Sequence, residues 1–177
     1  STGNVGIGNY VMDAAMNGAL YNSALGHNTL TSLTEGDYNV AMGYNSGANI
    51  TTGGSSVYIG YGAGLATTTG GSNVAIGTNA YAAGNAGTVV AIGHEAGRTT
   101  GINDGVWIGA NANKLGTGGG GGTIVGHYAG YHAQGSQMVH VGSNAGKYMS
   151  GSHNDLQNLR KVIMQVMQES NTSRGRI

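Results

Sequence analysis

The sequence predicts an all-β fold: a parallel β-solenoid of about nine 16–18-residue repeats, followed by a short C-terminal α-helix. Three observations predict it. A four-residue phrase (apolar, variable, apolar, glycine) returns nine times between Val5 and Gly142, with Ser23 and Thr123 in the first position of two of them. The closing glycines are 18, 17, 17, 17, 16, 16, 17 and 16 residues apart, and a fixed period of this kind marks a stacked repeat. Beyond Gly151 glycine almost disappears and apolar residues fall at helical spacing.

Each repeat opens on a short strand, as in Val74-Ala75-Ile76-Gly77 or Val106-Trp107-Ile108-Gly109. Its first and third residues share one face and its second points the other way. We place the Val and Ile positions inward, as the buried seam of the coil. The second position then faces outward as Gly6, Ala24, Ala41, Tyr58, Ala75, Ala91, Trp107, Ile124 and His140. This column is mostly apolar, so it is expected to be a subunit interface centred on Tyr58, Trp107 and Ile124. The glycine after each strand turns a corner, where positive φ or close backbone approach excludes a side chain. Small residues three positions later, such as Ala63, Ala80 and Ala96, suggest a second tightly packed side. Polar turns such as Thr51-Thr52-Gly53 and Thr68-Thr69-Gly70 return the chain, and the run Gly118 to Gly122 is an insertion in one of them.

The repeat domain covers residues 1–151, the helix 152–170 and a polar tail 171–177. Leu156, Leu159, Ile163 and Val166 are spaced 3, 4 and 3, which is the seam of a coiled coil. Ser152 or Asn154 suits the N-cap, and Asp155 suits the first turn. An isolated helix of this length is marginal in water, so it is expected either to cap the solenoid or to join chains through those four residues.

Composition narrows the function. Charged residues make up 8% of the chain, with Lys+Arg and Asp+Glu equal at seven each. The broad basic surface of a nucleic-acid binder is therefore not expected. No run approaches the roughly 20 apolar residues of a membrane span. There is no cysteine, and the seven carboxylates and the serines are scattered without the partners catalysis requires. Gly60-Tyr61-Gly62-Ala63-Gly64 lacks the setting and spacing of a phosphate loop. We expect no enzyme activity, no cofactor and no metal site.

Asn73-Val74-Ala75-Ile76-Gly77 and Val90-Ala91-Ile92-Gly93-His94-Glu95-Ala96-Gly97 resemble two repeat families. One is the head of YadA-like trimeric autotransporter adhesins. The other is the Asn-Val-Ala-Ile-Gly-x-x-Ala-Gly repeat of phage tail-fibre and bacterial surface proteins, which Gly54 to Gly64 resembles closely. The resemblance covers about residues 3–150 and implies a left-handed β-roll, a homotrimer and an adhesive or fibre role. The repeat here is longer than that of the adhesins, and no segment resembles their membrane β-barrel. Those departures favour a viral fibre segment or a cleaved fragment over an autotransporter head.

The position after the corner glycine carries Tyr44, Tyr61, His94 and His127, flat side chains with polar tips that suit a sugar or peptide. These four are the candidate ligand-binding residues. The expected partners are two further copies of the chain, a host-surface glycan or protein receptor, and other fibre or virion proteins. The expected location is a virion appendage or the cell surface. A purely structural shaft is the alternative. An ice-binding face is a lesser one, because the Thr pairs at 51–52, 68–69 and 99–100 form a broken array.

Overall fold

The computed structural model describes residues 2–99, 101–117 and 121–150. They form nine short parallel strands stacked in chain order into one sheet. The strands are β1 (Val5–Ile7), β2 (Ser23–His27), β3 (Val40–Tyr44), β4 (Val57–Ile59) and β5 (Val74–Ile76), then β6 (Val90–Ile92), β7 (Val106–Ile108), β8 (Thr123–Val125) and β9 (Val139–Val141). Pairing is in register throughout, as in Val57↔Val74 and Tyr58↔Ala75, so each phrase position becomes a straight column. The chain makes about eight turns of a β-solenoid, and no helix occurs among the described residues. The helix expected over 152–170, with Leu156, Leu159, Ile163 and Val166, lies outside the described residues, as does the tail.

The columns face the opposite way from the expectation. The second position is the interior: Ala41, Tyr58, Ala75, Ala91 and Ile124 are 0% exposed and Trp107 1%. Tyr58, Trp107 and Ile124 are therefore core residues and not an outward interface. The Val and Ile positions face out, with Val5, Ile7, Val40, Val139 and Val141 exposed and the central strands half-buried. The coil is too narrow to hold two large side chains from each strand. A three-residue strand turns one side chain inward and two outward, and only the single inward one fits.

Interior volume is balanced between two columns, the second strand position and the residue four after the corner glycine. Where the strand supplies alanine, the other column supplies bulk in two coils, whereas Ala41 and Ala91 accompany Gly47 and Gly97, whose space is taken by Leu30, Ile50 and Tyr58 and by Trp107. Ala24 accompanies Leu30 and Ala75 accompanies Tyr81, all at least 96% buried. Where the strand supplies Tyr58, Ile124 or His140, the other column is glycine. A Cβ on Gly64 would strike the ring of Tyr58, one on Gly146 the imidazole of His140, and one on Gly130 would come within 2.7 Å of Ile124 Cδ1. Trp107 reaches into the neighbouring coil, where Gly97 makes room for it. Dense packing of this kind makes each pair interdependent.

The corner glycine is required twice over. Gly60 has φ +127°, and a Cβ there would approach the carbonyl oxygen of Gly77 on the next coil to 2.7 Å. Backbone pairing continues round the coil beyond the strands: Gly47 N–H donates to Ala63 O at 2.9 Å and Gly64 N–H to Ala80 O at 3.0 Å. The residue before the strand builds a buried polar ladder in the first five coils. Asn39 Oδ1 accepts from Ser56 N–H at 3.2 Å, Asn39 Nδ2 donates to Gly53 O at 2.9 Å, and Asn73 Oδ1 accepts from Val89 N–H at 3.0 Å. These amides satisfy backbone groups that a tight coil would otherwise bury unpaired. The ladder ends at Val89.

Candidate binding surfaces

Three surfaces follow from this geometry. The first is the strand face. Nine strands at about 4.8 Å spacing and three residues wide give an apolar strip of roughly 38 by 10 Å. Its ridges are Val5, Val40, Val57, Val74, Val90 and Val106 on one side and Ile7, Leu25, Met42, Ile59, Ile76, Ile92 and Ile108 on the other. Ser23 replaces valine in the first ridge, and there the strip holds a groove of about 230 Å³ lined by Val5, Ile7, Leu25, Val40 and Met42. A contiguous apolar strip of this size is at the upper end of what a soluble monomer leaves in water.

The second surface is the column after the corner glycine. His27 stacks on Tyr44 at 5.3 Å and Tyr44 on Tyr61 at 5.5 Å, with ring planes within 13°. Tyr10 adds an edge contact to His27 at 5.4 Å. In-register coils impose this stacking, since like positions lie one rung apart. Tyr44 therefore has both ring faces covered and Tyr61 one. The column does not bring the four candidates together. Thr78 separates Tyr61 from His94, and Ala110 separates His94 from His127. His94 Nδ1 sits 3.9 Å from Glu95 Oε2, and His127 packs edge-on to Tyr128 at 4.4 Å. A second stacked pair, Tyr21 and Tyr38 at 5.3 Å, lies on the turn before the strand.

The third surface was not singled out from the sequence. Every Lys and Arg among the described residues stands five positions after a corner glycine: Arg98, Lys114 and Lys147. The signal was available, because the three fall in one repeat position with Tyr131 between the last two. Arg98 Nη1 pairs with Glu95 Oε1 at 2.8 Å, and Lys114 Nζ pairs with Glu95 Oε2. The hydrogen bond from Lys114, and then the charges of Lys114, Arg98 and His94, hold the Glu95 carboxyl below its ordinary range against the opposing effect of burial. Lys147 instead lies over three tyrosine rings. Among the described residues no group of three or more His, Asp or Glu side chains is placed to hold a metal ion. No family model, curated protein or solved structure matches the chain.

Proposed function

We propose that the chain is a non-enzymatic segment of a homotrimeric fibre, a left-handed β-roll that contributes to host-surface attachment in a viral tail fibre or a similar surface appendage. The observation that carries this reading is the uncovered Val/Ile strand face. Its apolar ridges are straight, in register and unbroken along most of the solenoid. Three copies closing round one axis would bury each strip against its two neighbours and leave none in water. The fold itself suits a rod. Every coil pairs with the next, so length is gained by adding coils, and each coil is stabilised by its neighbours. The resemblance of the Val-Ala-Ile-Gly phrases to trimeric adhesin and tail-fibre repeats supports the same assembly.

A purely structural shaft is the second reading. It is favoured by the stacking of His27, Tyr44 and Tyr61, which consumes ring faces that a ligand would otherwise use. Binding of the fluorescently labelled full chain to intact host cells separates the two. Saturable binding competed by unlabelled chain is the result expected for attachment. Uniform lack of binding by a chain of trimeric mass leaves only the shaft.

A further inference from the structure

The charge distribution points to a ligand site at the C-terminal coils. Three cations occupy one column, but their surroundings differ. Arg98 and Lys114 share the buried carboxylate of Glu95, which neutralises one of their two charges within the chain. Lys147 pairs with no carboxylate among the described residues. Its ammonium lies 4.7 Å from the ring centroid of Tyr128, 5.9 Å from that of Tyr131 and 5.5 Å from that of Tyr148. Tyr128 and Tyr131 are themselves packed at 5.2 Å. Ring quadrupoles attract the ammonium and fix its position, yet they leave its charge uncompensated. The result is an oriented cation with no carboxylate partner among the described residues.

The groups around it are neutral and polar at their tips. Tyr148 is 72% exposed and His132 is exposed, with the His132 backbone N–H donating to the carbonyl of Lys147 at 2.8 Å. Phenol hydroxyls and an imidazole can donate or accept hydrogen bonds, and exposed ring area can pack on the C–H face of a pyranose. These residues follow the corner glycine Gly142 or its equivalent Gly126, off the strand face, so closing that face between subunits does not use them. We propose that Lys147, Tyr148 and His132 form a binding site for a carboxylate-bearing saccharide, with Lys147 taking the carboxylate and the exposed Tyr148 ring taking the sugar, while Tyr128 and Tyr131 hold the ammonium in place. This rests on the attachment reading and names the ligand class for it. Repetition of the site on three chains would add avidity to a weak single contact.

Isothermal titration of the full chain with oligogalacturonate and with oligosialic acid tests the proposal, with dextran and poly-L-glutamate as controls. The expected result is salt-sensitive binding of at least one of the two acidic saccharides and none of dextran. Lys147→Gln should weaken it by about tenfold or more, and Lys147→Arg should retain it. Tyr148→Ala, at an exposed position that cannot unsettle the core, should weaken it by a smaller factor. Failure of both saccharides to bind overturns the proposal. So does equal binding of poly-L-glutamate, which would reduce the site to charge alone, or a Lys147→Gln chain of unchanged affinity and unchanged circular dichroism. Cell binding that neither saccharide competes would overturn the ligand class while leaving attachment in place.

Discussion

Exchanging bulk between the two interior columns at one coil tests the packing rule directly. Tyr58 fills the interior of its coil and Gly64 leaves the space for it, whereas the next coil carries the reverse pair, Ala75 and Tyr81. Tyr58→Ala alone empties a fully buried aromatic site and should cost about 3–5 kcal/mol. Gly64→Tyr alone places a second ring where the first already sits. Overpacking of that size should cost about 3 kcal/mol or more. The double variant recreates the arrangement one coil on. Tyr81 adopts φ 51° there and Gly64 has φ 62°, so the backbone already suits a tyrosine at that place. The double variant should lie within about 2 kcal/mol of the parent, against about 6 kcal/mol or more expected from adding the two singles. Guanidinium unfolding followed by far-ultraviolet circular dichroism gives the four stabilities. A double variant as unstable as the sum of the singles would refute the claim that the columns share one volume.

Other outcomes follow from single groups. Asn39→Ala strands the buried Ser56 N–H and Gly53 carbonyl and should cost about 2–5 kcal/mol in the same unfolding assay, whereas Asn49→Ala, at an exposed position, should stay within about 0.5 kcal/mol. Glu95 has its carboxyl lowered by Lys114, so its stabilising contribution is present above the ordinary value of 4.5 and is lost as pH falls through the lower folded value. Melting temperature followed downward from pH 5 should therefore fall more steeply in the parent than in Glu95→Gln. Burial pushes the Tyr81 hydroxyl up from 10.0 to about 12, against the opposing effect of its backbone bond to Ala86, with Tyr58 adding to the rise. The folded state holds that proton longer, so stability falls as pH rises from about 10 to about 12, and Tyr81→Phe should flatten that part of the profile.

The period and the strands were legible because glycine and alternation are local signals. All nine phrases became strands; all nine closing glycines have positive φ, and at all but Gly142 a Cβ would also strike the next coil's backbone. Which side of the strand faces inward was not legible from alternation, since alternation separates two faces without naming the inner one. The cue lay in covariation of size along the chain. Tyr58, Ile124 and His140 are each followed six residues later by glycine, while Ala24 and Ala75 are followed by Leu30 and Tyr81. Only an enclosed volume requires that bookkeeping. The outward stripe was expected on the wrong column: Tyr58, Trp107 and Ile124 line the interior, and the Val and Ile positions expected inside face out. The buried asparagines Asn22, Asn39 and Asn73 carried no signal in the sequence, because their partners lie one coil away. Of the four aromatic and histidine candidates, Tyr44 and Tyr61 do meet, but in-register stacking turns them into a ladder and not a cup.

The outward apolar face is the central claim, and mass in solution tests it most directly. Sedimentation equilibrium of the full chain should give three times 17.7 kDa. Ile76→Glu, which charges the middle of the strip without touching the interior column, should shift the mass toward 17.7 kDa with the β-sheet spectrum retained. A parent chain that sediments at 17.7 kDa across the micromolar range, with its strand face open to water, would contradict the account.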